Sequence, residues 1–326
     1  MTAGMDGSFV LRIAGRRLAV CGGSELAAVR PALAGIIEPA EIKSPSDPVL
    51  RIAAVPDPAS QVPWSRLETG SHRGRDGLLA VIRRDPSSVE QYWPGPQPLL
   101  LLEASAAALA SGDLLAQPAH HAIAAWLSGR TLQMVHAGAV AKEGRGVLFI
   151  GVGGRGKTTT ALACARAGCQ FLGDDLCVVE AGDPGRHTPP LIHGLYSTAK
   201  LNADSLQRLQ AGDWPTLGVT PSGKAAVALP AGLPFGRSAQ LVAIVALSVG
   251  DGGPLLPRRV SPRAAIQALG STALPIASGS GSPRDWLSTA AALVREVPAY
   301  ELGLAWDLER VTAAILGLLH PPAGVP

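Results

Sequence analysis

A run of apolar residues leads directly into a glycine-rich loop at residues 147–158, which read VLFIGVGGRGKT. Apolar residues without a polar interruption are typical of a buried strand. The loop matches G-x-x-x-x-G-K-[ST] at every fixed position, and residues of helical composition follow it as far as residue 167. Backbone N–H groups and the helix N-terminus can therefore face a phosphate chain. The stretch predicts an α/β fold with a phosphate-binding loop (P-loop) at residues 151–158.

Each position of the P-loop has a role in the predicted site for ATP and Mg²⁺. The glycines let the backbone wrap around an anion without a clash from Cβ. Lys157 is expected to reach the β- and γ-phosphates, and the Thr158 hydroxyl to ligate Mg²⁺. Arg155 is either a solvated side chain or a further phosphate contact. The predicted nucleotide-binding residues are Gly151, Val152, Gly153, Gly154, Arg155, Gly156, Lys157, Thr158 and Thr159.

Two adjacent carboxylates, Asp174 and Asp175, follow the next predicted strand at residues 169–172. Because the carboxyl ends of parallel strands meet at one edge, we expect both to lie near the P-loop in a predominantly parallel sheet. Neighbouring side chains point in different directions, so one acid can face the metal and the other an acceptor hydroxyl. An acidic turn at a strand end is the alternative interpretation.

The order of these motifs resembles the HPr kinase/phosphorylase family. The segment HAGAV at residues 136–140, the P-loop and GDD at residues 173–175 are similar to that family's histidine-containing strand, P-loop and Asp-Asp pair. The resemblance covers residues 127–180, and it implies a P-loop kinase core akin to phosphoenolpyruvate carboxykinase.

The resemblance also implies roles for individual residues. Asp174 corresponds to the catalytic base that accepts the proton of a serine hydroxyl. Asp175 corresponds to the magnesium-side acid, beside Thr158, and His136 to the active-site histidine near the phosphates. By itself, a histidine on an apolar strand is more often a hydrogen-bonded core residue.

One motif of the family is missing, because the chain has no Arg-Gly-aliphatic-Gly segment downstream. Neither HPr as the substrate nor reverse phosphorolysis is therefore implied. Residues 119–180 look closer to divergent HPr-kinase-like proteins, some of which phosphorylate ribosomally made peptides such as lasso-peptide precursors at a terminal serine. This implies an ATP-dependent kinase that acts on a serine hydroxyl of a peptide or small protein. The alternatives are a small-molecule hydroxyl kinase, a P-loop ATPase or nucleotide-gated regulator, and a nucleotide-binding pseudokinase.

Two domains are predicted, a smaller β-rich domain at residues 1–115 and a catalytic domain at residues 116–326. The first contains short apolar runs, among them a hairpin at residues 9–13 and 18–21. Proline-rich segments are predicted loops, at residues 44–48, 56–63 and 94–98. The predicted elements of the catalytic domain are helices at residues 119–127, 158–167, 262–269, 286–295 and 308–319, and strands at residues 132–141, 147–150, 169–172, 177–179, 240–249 and 299–304.

Several charged residues have a weaker case. Lys200 and Lys224 are two of only five lysines, and either could approach a phosphate, but a solvated surface lysine is the commoner state. Arg237 has similar standing. His120 and His121 are adjacent and cannot share one helix face, and no cysteine or acid near them in the sequence completes a metal site, so no transition-metal site is predicted.

Composition excludes several other classes of protein. The net charge of +3 and the scattered arginines do not predict a nucleic-acid surface. The apolar runs are near strand length, which argues against membrane spans. The first residues lack a basic segment followed by a long apolar one, which predicts a cytoplasmic protein. Asn202 is the only asparagine, so the guanine-specific Asn-Lys-x-Asp element is absent. Self-association is left open.

Overall fold

The computed structural model describes residues 8–38, 44, 46–58, 69–74, 78–84, 87–249, 256–273, 282–304 and 307–320. The strands are Phe9–Ile13 (β1), Arg16–Cys21 (β2), Val49–Ala54 (β3), Gly70–Arg73 (β4), Leu79–Arg84 (β5), Ser87–Trp93 (β6), Leu99–Ala104 (β7), Leu132–Val135 (β8), Gly138–Lys142 (β9), Arg145–Ile150 (β10), Gln170–Gly173 (β11), Cys177–Glu180 (β12), Leu191–His193 (β13), Thr198–Leu201 (β14), Thr216–Val219 (β15), Ala225–Ala228 (β16), Ser238–Val249 (β17), Arg258–Arg259 (β18) and Ala299–Leu304 (β19). The α-helices are Leu26–Leu33 (α1), Ala106–Leu109 (α2), Gly112–Ala116 (α3), His120–Leu127 (α4), Lys157–Arg166 (α5), Ala203–Arg208 (α6), Pro262–Gly270 (α7), Pro283–Glu296 (α8) and Leu308–Leu319 (α9). Single 3₁₀ turns lie at Ala34–Ile36 and Pro184–Arg186. The mixed α/β composition agrees with the predicted fold class.

The first sheet is built from the N-terminal strands in the order β1-β2-β3-β7-β6-β5-β4. The predicted hairpin is confirmed, with Ala14 and Gly15 at the turn in left-handed conformations. The predicted loop at residues 94–98 is confirmed, as is the described part of the one at residues 44–48. The end of the one at residues 56–63 lies outside the described residues.

The second sheet carries the P-loop and has the order β11-β9-β10-β17-β13-β12-β8, with β19 also paired to β17. Among the described strand pairs of this sheet, β10–β17 and β17–β19 are parallel and the others are antiparallel. The expectation of a predominantly parallel sheet is therefore wrong. Short connections between strands explain part of the difference. A tight turn at Glu143 and Gly144 joins β9 to β10, and strands joined by a tight turn can pair only in the antiparallel direction.

The strand predicted at residues 132–141 is two strands on different parts of the sheet. β8 pairs with β12, whereas β9 pairs with β10 and β11. Between them the His136 N–H donates to the Thr272 carbonyl at 2.9 Å and the Ala137 N–H to the Asp175 carbonyl at 3.0 Å. The hydrogen-bond ladder of β8 thus ends before His136. This break between β8 and β9 places the histidine beside the acidic pair.

Helices cover both faces of the second sheet. Consecutive residues of β10 alternate between these faces: Phe149 packs in the cluster that contains Leu162 of α5 and Ile315 of α9, while Leu148 packs with Trp286 of α8. Helix α8 begins three residues before its predicted start because the Ser282 hydroxyl caps it, ahead of a proline in its first turn.

One hydrophobic core joins the first sheet to the second. Ile123 and Leu127 of α4 pack in a cluster with Leu50 of the first sheet and Val178 of the second. Full burial of each such side chain contributes roughly 1.5–3 kcal/mol. This core therefore contains residues from both sides of positions 115 and 116, where the sequence predicts a domain boundary. The boundary stays a prediction.

The third sheet has the order β14-β16-β15 and lies beside α5. Its first strand supplies Lys200. In the described ranges, no helix has both the length and the apolar character needed to cross a membrane.

Candidate active site

The P-loop connects the C-terminal end of β10 to α5. Gly151, Gly154 and Gly156 have φ angles of 139°, 79° and 78°, values that favour glycine because a Cβ is strained there. At position 156 a Cβ would also collide with the side chain of Leu304. The loop conformation therefore requires glycine at these three positions.

The Lys157 side chain lies across its own loop. The residue is buried, and Nζ donates to the Gly151 carbonyl at 2.8 Å and the Val152 carbonyl at 3.4 Å. Burial lowers its pKa, although the charges of Asp175 and Asp174 oppose the shift. The ammonium thus lies within the P-loop, and a bound phosphate would have to replace the two carbonyls as its partner.

Asp174 follows the end of β11 and is buried. Oδ1 accepts from the Thr158 hydroxyl at 2.5 Å, and Oδ2 accepts from the Lys200 backbone N–H at 2.9 Å. Burial raises the pKa of Asp174 to about 7, with a contribution from the Asp175 charge, against the opposing effect of these two hydrogen bonds. The carboxylate therefore ties the P-loop to β14, and both its oxygens are engaged.

Asp175 has a left-handed backbone, with a φ angle of 61°, and its side chain faces a different set of groups. Oδ2 lies 3.2 Å from Lys200 Nζ, and Oδ1 lies 3.6 Å from His136 Nε2. Burial alone would raise its pKa, but the charges of Lys200 and His136 outweigh burial and the pKa is lowered. Two adjacent carboxylates thus have pKa values shifted in opposite directions.

His136 lies on the rim of this cluster, with 36% of its side chain exposed. Burial of the remainder lowers the pKa of the imidazole, while the Asp175 charge opposes the shift. The structure therefore brings together the three residues that the resemblance selects, His136, Asp174 and Asp175, next to Lys157.

A cavity of about 260 Å³, named here the nucleotide cavity, opens over the P-loop. Seven of the nine predicted nucleotide-binding residues line it, and the other two, Gly151 and Val152, do not. The polar residues of its lining include Asp175, Lys200 and Lys224. The lining also includes the apolar residues Val249, Leu304, Leu308 and Val311, of which Val249 and Leu304 are the last residues of β17 and β19.

Lys200 is a site residue for which the sequence gives only a weak case. The sequence favours a solvated lysine, but the side chain is only 15% exposed, and Nζ donates to Gln117 Oε1 at 2.9 Å besides its pairing with Asp175. It also lies 3.6 Å from Asp113. The only sequence signal for Lys200 is that lysine is rare in this chain, because the residues that it contacts are distant in the sequence.

The other two weak candidates have different positions. Lys224 lines the nucleotide cavity. Arg237 lies outside it, where Nη1 pairs with Glu38 at 2.7 Å and Nη2 donates to the Ile37 carbonyl at 2.7 Å. These contacts join the residue that precedes β17 to the segment that follows the first 3₁₀ turn. They have no part in the candidate site.

The sequence predicts no transition-metal site at His120 and His121, but in the folded chain an acid lies beside both. Glu90 of β6 reaches both, in an arrangement that could hold a metal ion. Its Oε2 accepts from the backbone N–H groups of His121 and Ala122 at 2.8 and 3.1 Å, so the carboxylate caps the N-terminus of α4. The contacts are those of a helix cap, and the sequence could not show them because Glu90 is on a distant strand.

No protein-family model matches this chain. A comparison with curated proteins likewise finds no match. Among solved structures, the chain is similar to the HPr(Ser) kinase/phosphatase from Coxiella burnetii, with 14% sequence identity and a TM-score of 0.31. The match covers 57% of this chain and 95% of that chain. A likeness at these values carries no inference about the activity of this protein.

Proposed function

We propose that this protein is an ATP-dependent kinase that transfers the γ-phosphate to a serine hydroxyl of a peptide or small protein. The observation that carries the proposal is a second cavity of about 180 Å³, named here the acceptor cavity. It shares His136, Asp175 and Lys200 with the nucleotide cavity but contains no P-loop residue. A nucleotide and an acceptor would thus have separate spaces that meet at three polar side chains, whereas an ATPase needs room only for water.

The nucleotide side has the groups that phosphoryl transfer requires. The P-loop N–H groups and Lys157 would hold the β- and γ-phosphates and offset the charge that develops on them. Thr158 and Asp175 would hold Mg²⁺ together with the nucleotide, since a hydroxyl and a carboxylate supply the oxygen ligands that this ion prefers. When bound, Mg²⁺ supplies further neutralisation of phosphate charge.

The acidic pair supports a division of roles. Carboxylates whose surroundings shift their pKa values apart are typical of acid–base sites. The pKa of Asp174, raised to about 7, suits a general base near neutral pH, while the lowered pKa keeps Asp175 ionised. The serine hydroxyl would attack the γ-phosphorus in line, its proton would pass to Asp174, and ADP would leave. Asp174 lines neither cavity, so before accepting a proton it must give up its hydrogen bond from Thr158 or from the Lys200 backbone and turn toward the acceptor cavity.

The nature of the acceptor has two candidates. The sequence resemblance to peptide kinases favours a peptide, including a ribosomally made lasso-peptide precursor. The acceptor cavity of about 180 Å³, however, has room for one small hydroxyl compound as well as for a serine side chain. A small-molecule hydroxyl kinase is therefore the second candidate.

The test compares transfer with hydrolysis. The wild-type protein is incubated with ATP, Mg²⁺ and either serine peptides or free serine. Phosphate incorporation is followed by mass spectrometry and phosphate release by a colorimetric assay. We expect incorporation into an acceptor. Release of phosphate to water at the same rate with and without every acceptor would favour the ATPase alternative.

A further inference from the structure

Three cavities follow one another from the P-loop to the first sheet. Beyond the acceptor cavity is a third cavity of about 210 Å³, named here the outer cavity, whose lining includes Ser88, Ser111 and Pro221. The acceptor and outer cavities share two residues, Arg83 of β5 and Asp113 of α3. These two residues therefore stand between the outer cavity and the space next to the acidic pair.

The two cations that line the acceptor cavity are not equivalent. Lys200 is committed to Gln117, Asp113 and Asp175 by the contacts described above. Arg83 donates from Nη2 to His121 Nε2 at 3.2 Å, which uses one of the five N–H donors of a guanidinium. Within the ranges that the structure describes, no ion pair joins Arg83 to a carboxylate.

The histidines beside Arg83 do not add positive charge. Burial lowers the pKa of both His120 and His121, and the Arg83 charge lowers each further. His120 Nδ1 lies 3.1 Å from the Gln117 carbonyl. Because a carbonyl can only accept, Nδ1 carries the proton and donates it. The guanidinium of Arg83 is thus the cation of this wall that has donors left for a ligand.

We propose that the acceptor reaches the phosphates by way of the outer cavity, between Arg83 and Asp113, and that Arg83 binds a carboxylate close to the acceptor hydroxyl. A guanidinium matches the planar carboxylate and can hold it through two parallel hydrogen bonds. The preferred substrates are hydroxyl compounds with a neighbouring carboxylate, supplied by an acidic side chain or chain terminus of a peptide or by a free hydroxy acid. This inference rests on the proposed kinase function.

The experiment uses acceptors in matched pairs that differ only in this carboxylate. Serine peptides with Asp or Asn beside the serine, and with a free or amidated terminus at the serine, test the peptide source. Free serine and serinamide test the small-molecule source. We expect the wild-type protein to prefer the acidic member of one pair by about 10- to 100-fold in kcat/KM, the range for a hydrogen bond to a charged group.

The variants separate recognition from structure. Arg83→Gln should bring the two members of the preferred pair to similar kcat/KM values. Arg83→Glu should reverse the preference toward an acceptor with Lys in place of Asp. Arg73→Gln is the matched control, because Arg73 is exposed on the neighbouring strand of the same sheet and lines none of the three cavities. It should retain the wild-type preference.

The outcomes distinguish this inference from the function on which it rests. If the wild-type protein phosphorylates both members of every pair equally, or if Arg83→Gln slows both equally, Arg83 does not recognise the acceptor although the kinase assignment stands. If the wild-type protein phosphorylates none of them, both proposals fail. Calorimetric titration with a non-hydrolysable ATP analogue should give the same affinity for the wild-type protein and all three variants.

Discussion

The two halves of the candidate site are built in different ways. The nucleotide half is one continuous loop whose shape depends on backbone angles, with Gly151, Gly154 and Gly156 in conformations that few other residues adopt. The acceptor half is a set of side chains from separate elements, joined by the contacts of Lys200 and Arg83. A backbone site tolerates little change, whereas a side-chain site can change its ligand through one substitution. The following experiments test this contrast, from the largest expected effect to the smallest.

Lys157→Ala should reduce phosphoryl transfer by roughly 10³-fold or more, because a charge that offsets the developing phosphate charge is lost. The substitution also removes the hydrogen bonds from Nζ to the loop carbonyls. Initial rates are measured beside a thermal melt without nucleotide, which checks that the fold is retained. Turnover near the wild-type rate would contradict the assignment of the P-loop.

Substitutions in the acidic pair test whether the nucleotide half and the acceptor half have separate tasks. Asp174→Asn keeps the size of the side chain but removes the proton acceptor, so phosphorylation should fall by roughly 10²-fold with little change in nucleotide affinity. Asp175→Asn should weaken Mg²⁺-dependent nucleotide binding as well as turnover, because it removes charge beside the metal. Binding is measured by calorimetry with and without a chelator. An equal loss of nucleotide binding in both variants would disprove the division of roles.

The sequence could predict the nucleotide half because its parts are neighbours in the chain. The P-loop, the strand before it and the helix after it form one short segment, and the acidic pair that borders both halves follows at the end of the next strand. Glycines at fixed positions reflect a local backbone requirement, which a sequence pattern records directly.

The acceptor half could not be predicted because long-range packing assembles it. Gln117 and Lys200 are 83 positions apart in sequence, and they meet only after α3 and β14 have packed together. The break at His136 has the same origin, since its N–H bonds to Thr272 instead of continuing a ladder. The apolar pattern of residues 132–141 is that of one strand, and only the completed sheet shows two.

The backbone requirement of the nucleotide half predicts a difference between two glycines of the same loop. Gly156→Ala introduces a Cβ at a φ angle of 78° and against Leu304, which should cost about 1–3 kcal/mol of unfolding free energy. Gly153→Ala is the control, because Gly153 has no positive φ angle and a Cβ there would meet nothing within 4 Å. Thermal melts without nucleotide measure both. Equal melting temperatures would show that the loop is not held in this conformation.

The smallest effect is expected where the first sheet supports the acceptor half. Glu90→Ala removes the carboxylate that accepts the first N–H groups of α4, so the unfolding free energy should fall by about 1–2 kcal/mol, as for the loss of a helix cap. His120 in the first turn of α4 and Gln117 just before it line the acceptor cavity. The same variant should therefore raise the acceptor KM while nucleotide affinity stays constant.

Glu103→Ala is the control for Glu90→Ala, because Glu103 is a partly buried glutamate on the adjacent strand and lines none of the three cavities. Urea unfolding gives the free energies, and steady-state kinetics give KM for the acceptor and for ATP. Because the P-loop receives its support from β10 and α5 instead of the first sheet, a change in acceptor KM alone is the expected signature. If Glu90→Ala weakened ATP and acceptor binding equally, the two halves would share one support, and the contrast between a backbone site and a side-chain site would not hold.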